Sequence, residues 1–251
     1  MIKLSVNVNK IATVRNSRGG HVPSVLEAVR VCVDAGAPGI TVHPRADERH
    51  ITGTAVREIA ALLAGFRAGA AGAPPVEFNI EGDPREDLLR LVHEVKPDQC
   101  TLVPVKEGEL TSEAGWRKDA PREHLRSVVD DLRAAGIRVS LFVDPEEEPI
   151  RWAADVGADR IELYTEPFAR AFAAGPEQGR ASFETFARAA ELAAACGLAV
   201  NAGHDLDLEN LVLFRRLPHL AEVSIVHALV SRALFVGLSE SVREYLQVLA
   251  A

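Results

Sequence analysis

Histidines, carboxylates, amides and an arginine stand at the ends of short apolar runs: Asn7 and Asn9, His43 and Arg45, Glu81, Glu162, His204 and His227. Imidazoles and carboxyl groups exchange protons near neutral pH, while amides and the planar fork of arginine hold the oxygens of phosphate or carboxylate groups. The clearest case is Gly39-Ile40-Thr41-Val42, which empties into His43, Arg45, Arg49 and His50. A buried strand that exits into a charged loop is where parallel α/β proteins bind ligands, because the strand fixes the residue and the loop meets solvent. Proton chemistry on a small anion needs such exits gathered on one face, and that is a demand on the fold.

The intervening sequence supplies such a fold. Residues 3–8 alternate as a first strand and run into a polar loop over 9–21. A helix starts at Ser24 beside Pro23 and stops at Gly36, the second strand covers 39–43, and a helix follows over 54–66. Residues 75–80 form a strand ending at Glu81-Gly82, and the next helix is predicted to take Asp83 as its cap with Pro84 in its first position. The fourth strand, 99–103, leads into a long polar loop over 104–120. Then come a helix over 121–135, a strand over 138–143, and a helix over 145–156 whose start Pro149 delays. A strand over 160–163 precedes a loop with room for a helix, and an alanine-rich helix runs from a Ser182 cap to Cys196. Strands over 198–201 and 223–226, with helices over 208–217 and 229–249, complete the chain. Eight strand–helix pairs in 251 residues, without a Pro/Gly/Ser-rich linker, predict one α/β domain over residues 1–251, a parallel eight-stranded (β/α)₈ TIM barrel. A doubly wound open sheet is the structural alternative.

Bulk properties narrow the function. A net charge of −8 disfavours a sequence-independent nucleic-acid binder, which needs a basic face, yet leaves an anionic small substrate open. Residues 1–10 carry neither the apolar core nor the small-residue cleavage site of a secretory signal, and no apolar run approaches a membrane span. The expected setting is cytoplasmic. The three cysteines, Cys32, Cys100 and Cys196, are widely spaced in apolar segments and read as reduced thiols, with no metal site expected.

At a finer level the sequence resembles the pyridoxine 5′-phosphate synthase family. The resemblance is carried by VNVNKIATVRNSRG at residues 6–19, GITVH at 39–43 with Arg45, RHIT at 49–52, NIE at 79–81, LVP at 102–104, VSLFVD at 139–144 and VNAGH at 200–204. It implies a barrel that condenses 1-deoxy-D-xylulose 5-phosphate with 3-amino-2-oxopropyl phosphate, giving pyridoxine 5′-phosphate, inorganic phosphate and water, with no metal or organic cofactor. By the same resemblance His43 acts as an early base, Glu81 as a further proton-transfer group and His204 as an acid, while Glu162 supports the transition state. Asn7 and Arg18 would contact the aminoketone phosphate; Arg45, His50 and Thr111 would face the deoxyxylulose phosphate. Arg15 and Arg49 would add supporting charge. Asn9, Lys10, Asp205, Val226 and His227 complete the expected substrate-binding set. The partners so implied are small phosphorylated substrates, without nucleic acid or membrane, and further copies of the chain in a homo-oligomer built from dimers, up to an octamer.

Several positions depart from the family pattern. Asn9-Lys10 stands where Asp-His is usual, Asp205 and Val226 where glycines are usual, Val105 at an acidic position, and Tyr164 and Glu166 in place of His and Gly. Loops after the seventh and eighth strands often bind phosphate through backbone N–H groups, so a carboxylate and a branched side chain there bear on the substrate pair. Asp205 could instead turn outward as a helix cap, although Asp207 is better placed for that. Two other readings therefore stand beside the synthase: a barrel acting on another phosphorylated or carboxylated carbonyl compound, and a ligand-binding relative without turnover.

Overall fold

The computed structural model describes residues 1–69, 75–104, 114–118 and 120–251, and of residues 67–69 only the backbone. Its strands are β1 (Lys3–Asn7), β2 (Gly39–Val42), β3 (Glu77–Gly82), β4 (Gln99–Leu102), β5 (Arg138–Val143), β6 (Arg160–Tyr164), β7 (Ala199–His204) and β8 (Leu220–Ile225). All pair in parallel in chain order, and β8 returns to β1 through Leu4 opposite Val223 and Ser5 opposite Ser224. That closure makes the molecule a (β/α)₈ barrel and excludes the open sheet. The helices are α1 (Asn9–Asn16), α2 (Val25–Asp34), α3 (Gly53–Gly69), α4 (Glu86–Val95), α5 (Arg122–Ala134), α6 (Glu147–Val156), α7 (Glu166–Ala174), α8 (Pro176–Ala195), α9 (Leu211–Phe214), α10 (His227–Val236) and α11 (Leu238–Ala250).

Along each strand, alternate residues serve two different environments. Leu4, Ile40, Ile80, Leu102, Leu141, Ile161, Val200 and Val223 are fully buried in the layer between barrel and helices. The residues between them line a polar interior. Ser5 and Thr41 share a hydrogen bond of 2.6 Å, and Asn79 donates to the Thr41 hydroxyl at 3.3 Å and accepts from Thr101 at 3.0 Å. Leaving such groups buried and unpaired would cost about 1–3 kcal/mol each, so this layer is built from polar residues that satisfy one another.

Below it, charged side chains close the N-terminal end of the barrel. Glu77 is held by Lys3 and, at 2.5 Å, by Arg138, whose Nε donates to Gln99 at 3.0 Å. Asn201 links Gln99 to Arg160, and Arg160 lies 3.9 Å from the buried Glu222. Truncating one member strands its partner in a poorly solvated site. Arg138→Met is therefore expected to destabilise the fold by about 2–4 kcal/mol in urea unfolding, with little change in activity at the opposite end.

Some predicted boundaries move, each for a local reason. Residues 9–16, expected as loop, form α1, a helix with only Asn9 and Ala12 buried and hence no apolar stripe to betray it. It is held from outside: Arg15 donates to the His50 carbonyl, and Asn16 donates to the carbonyls of Arg49 and His50, all at 3.1 Å. Asp83 does not cap α4, because its carboxylate is taken by the Arg85 guanidinium at 2.6 Å and the helix begins only at Glu86. Ser182 lies inside α8, which starts at Pro176 with proline in a first-turn position that costs no hydrogen bond. The closing helix is two, since Gly237 at φ 86° ends α10. In this closing segment Val242, Tyr245 and Leu249 are buried, while Leu234 and Phe235 on α10 are exposed. Among the described residues no helix is long and apolar enough to cross a membrane. All three cysteines are free, Cys32 and Cys100 buried and Cys196 half-buried.

Candidate active site

The C-terminal strand ends open into a cavity of about 390 Å³. Asn7, Glu81, Glu162 and His204 line it from β1, β3, β6 and β7, His43 directly follows β2, and the segments beyond the strands add Asn9, Lys10, Arg45, His50 and Val226. Not every expected residue arrives there. Arg18 is exposed beyond α1, His227 is exposed at the first position of α10, and neither they nor Asp205 line the cavity. Thr111 and Val105 lie outside the described residues. Four lining residues escaped the sequence reading: Thr13, Val103, Phe142 and Ser224. The signal for Ser224 was present, because it follows Glu222 by two and therefore faces the same interior.

The centre is a pair of groups that burial holds neutral. His43 Nδ1 lies 3.8 Å from Glu81 Oε2, with the imidazole and the carboxyl both nearly inaccessible to solvent. Desolvation, reinforced by the charges of Arg45, His50, Arg85 and Arg49, lowers the His43 pKa from its ordinary 6.5 to about 3. Desolvation raises Glu81 to about 8, opposed by a hydrogen bond from Ser224 and reinforced by Glu222. At neutral pH the pair is thus an imidazole base beside a carboxylic acid. His43 Nε2 is buried without a hydrogen-bond partner among the described residues. Asn7 connects the pair to α1, donating to Glu81 at 3.4 Å and accepting from the Asn9 amide at 3.0 Å.

Glu162 is a second buried acid. Burial first, then repulsion from Glu81 and Glu222, pushes its carboxyl well above the ordinary range. Gly203 makes room for it: a Cβ there would stand 2.4 Å from Glu162 Oε1 and 3.0 Å from the Ser224 carbonyl. Only glycine lets β7 pass so close to this carboxyl.

The rim on the β2 side is cationic. Arg45 is buried, Lys10 and Arg49 line the cavity, and Arg49 is bound to Asp47 at 2.7 Å. His50 Nδ1 accepts the Ile51 amide proton at 2.9 Å, so in its neutral form this ring carries its proton on Nε2. Desolvation and the nearby Arg45, Lys10 and Arg49 lower its pKa to about 4, which keeps it neutral. Arg15 supplies no charge to the cavity; it clamps the His50 carbonyl from α1.

On the far side His204 adopts φ 98°, a left-handed geometry unusual for a residue with a side chain. Its Nδ1 contacts Asp205 Oδ2, and since a carboxylate only accepts, Nδ1 carries the proton. Asp207 makes the turn, accepting the amides of Glu209 and Asn210 at 2.9 and 2.8 Å, and Asn210 donates to the Asp205 carbonyl at 3.1 Å. Asp205 is therefore neither a helix cap nor a charge facing the cavity; it orients His204. Asp205→Asn is expected to lower kcat about 10-fold while the melting temperature stays nearly constant, as steady-state kinetics and thermal unfolding would read. Asn9 has an equally definite position, its Oδ1 accepting the His43 backbone amide at 3.0 Å, a service an aspartate oxygen would perform as well. Among the described residues no group of three or more His, Cys, Asp or Glu could hold a metal ion.

Such a site, neutral acid and base groups under a cationic rim at the mouth of a closed barrel, can be set beside known proteins. At the level of fold the chain is similar to thiamine phosphate pyrophosphorylase from Pyrococcus furiosus, with a TM-score of 0.61 at 15% identity over 99% of this chain and 96% of that one. At the level of sequence it is 50% identical to pyridoxine 5′-phosphate synthase of Leptospira biflexa, over 100% of this chain and 98% of the relative. The Porphyromonas gingivalis protein of the same name is 48% identical, with both chains covered in full. Residues 4–251 match the model of the pyridoxal phosphate biosynthesis protein PdxJ family. With residues 4–251 matched by the family model and full-length relatives about half identical, the chain belongs to the PdxJ family of pyridoxal phosphate biosynthesis proteins.

Proposed function

We propose that the chain acts as a pyridoxine 5′-phosphate synthase, joining 1-deoxy-D-xylulose 5-phosphate to 3-amino-2-oxopropyl phosphate and releasing inorganic phosphate and water. The observation that carries this reading is the convergence of His43, Glu81, Glu162 and His204 on one cavity in a chain 50% identical to a synthase. Amine addition to a ketone, dehydration, phosphate loss and aldol-type ring closure move protons at several atoms and transfer no electrons to a carrier. They need several acid and base groups around one substrate, and no metal or organic cofactor.

The site divides that work by environment. His43, neutral down to about pH 3, is a base available at any physiological pH. Glu81, protonated up to about pH 8, supplies or takes a proton beside it, and Ser224 and Asn7 fix its two oxygens. Glu162, also held neutral, donates a hydrogen bond to oxygen as charge develops there. His204, with Nδ1–H on Asp205, presents Nε2 to the cavity, where it takes a proton from the substrate in one step and returns it to a departing hydroxyl or phosphate in a later one. Arg45 and His50 on the β2 side suit the phosphate of the deoxyxylulose substrate, with Lys10 and Arg49 adding positive charge. Arg18 and Thr111 remain proposed phosphate contacts of the bound complex. The free thiols at Cys32, Cys100 and Cys196 support a reducing, cytoplasmic setting.

The reading is tested by rescue of a vitamin B6 auxotroph lacking its own synthase. The chain is expected to restore growth, and the His204→Ala variant to restore little or none. Absence of growth with the unaltered, expressed protein would count against the proposal.

A further inference from the structure

We propose that Arg85 is a positioning residue for this reaction: by gripping the Pro44 carbonyl it sets His43 and Arg45 in place against Glu81. This inference rests on the catalytic reading of His43 and Glu81 given above. Strand β2 ends at Val42, so no ladder hydrogen bond holds residues 43–45, yet His43 and Arg45 are both buried and both face the cavity. Two side chains from elsewhere help to hold this backbone, beside the Glu48 amide, which donates to the Arg45 carbonyl at 3.0 Å. Asn9 Oδ1 accepts the His43 amide at 3.0 Å, and Arg85 Nη2 donates to the Pro44 carbonyl at 2.6 Å. One grip lies on each side of the residue that carries the base.

Arg85 is itself fixed in a way that leaves that donor only one direction. Nη1 binds Asp83 Oδ1 at 2.6 Å and Nε binds Asp87 Oδ1 at 2.9 Å, and the side chain is only 18% exposed. The two carboxylates occupy two edges of a planar guanidinium, and the third edge meets Pro44. Lysine has no such fork; it could keep the charge but not three partners in one plane. Arg85 also adds positive charge near His43, together with Arg45, His50 and Arg49. Proton transfer across the 3.8 Å between His43 and Glu81 is sensitive to placement, since a shift of about 1 Å can cost on the order of 100-fold in rate.

The plainer role for Arg85 is a loop ion cluster before α4 with no bearing on turnover. Arg85→Ala and Arg85→Lys in the full chain separate the two. Expected is a loss of about 10- to 100-fold in kcat for Arg85→Ala, a smaller rise in KM for the deoxyxylulose substrate through Arg45, and an almost unchanged urea midpoint. Arg85→Lys is expected to recover less than half of the lost kcat, whereas millimolar guanidinium chloride added to Arg85→Ala recovers a measurable part. If Arg85→Ala fails to fold, Arg85→Lys and Asp83→Asn carry the same comparison. Independently of turnover, the His43 ring resonances of the ligand-free protein are expected to shift in Arg85→Ala. A kcat within twofold of the unaltered protein, or ring resonances left in place, would overturn the proposal. An unaltered protein that makes no product, with shifted His43 resonances, would instead fault the catalytic reading and leave the positioning role standing.

Discussion

Replacing His43 with alanine is expected to lower kcat about 1,000-fold while both substrates still bind. The imidazole is the base set beside Glu81: burial raises the two neighbouring carboxyls, Glu81 and Glu162, His50 has its Nδ1 occupied by the Ile51 amide, and His204 stands on the far side, tied to Asp205. General base catalysis contributes about 10²- to 10⁴-fold, so a loss of that size is what the geometry demands. The rim groups Arg45, Arg49, His50 and Lys10 remain, so KM should change only a few-fold. Steady-state kinetics decide it, and a His43→Ala variant retaining a tenth or more of kcat would refute the assignment. His43→Asn keeps polarity without basicity and should be no better.

Glu81→Gln is expected to reduce activity by a comparable factor and, in contrast, to stabilise the protein in alkali. Folding raises the Glu81 pKa from 4.5 to about 8, so the folded chain keeps a proton that the unfolded chain has released. Stability from this group is complete below about pH 4.5 and is lost progressively as pH rises from there through 8, because over that range the unfolded chain has released a proton that the folded chain keeps. Glutamine imitates the protonated acid and does not titrate. The variant should nearly match the unaltered protein near pH 5 and exceed it at pH 9 by on the order of 4 kcal/mol. Thermal unfolding across this range reads the difference, and equal pH dependence in both proteins would contradict a protonated Glu81. Glu162 is raised for the same reason, so the Glu81→Gln variant should still lose some stability in alkali.

The barrel was legible because its outer layer follows simple rules. Leu4, Ile40, Ile80 and their counterparts alternate with smaller or polar residues, and glycines such as Gly36 and Gly136 stop helices where left-handed backbone is needed. The strand-end residues His43, Arg45, Glu81, Glu162 and His204 could be picked out because polar groups follow apolar runs there. What stayed hidden depends on partners remote in the chain. Helix α1 has no apolar stripe, and its order comes from Arg15 and Asn16 reaching carbonyls at 49 and 50. Ser224 counts as a site residue only once β8 is seen to close against β1 and bring its hydroxyl within 3.4 Å of Glu81. Asp205 looked like a negative charge in a phosphate site, and Asn9 like a lost carboxylate. In the structure the first holds His204 and the second holds the His43 amide, contacts that residue type alone does not specify. Arg85 drew no notice in the sequence for the same reason, since its partner Pro44 belongs to a different strand exit.

These contacts bear on whether the departures from the family pattern mark a changed substrate. Asp205 and Asn9 both have work within the site that is compatible with the family reaction, and Val226 lines the cavity. The most direct test is to supply purified protein with 1-deoxy-D-xylulose 5-phosphate and 3-amino-2-oxopropyl phosphate, measuring pyridoxine 5′-phosphate and inorganic phosphate together. Equal molar amounts of the two products, both abolished in His43→Ala, are expected. Turnover of neither substrate by folded protein, or phosphate release without pyridoxine 5′-phosphate, would contradict the account.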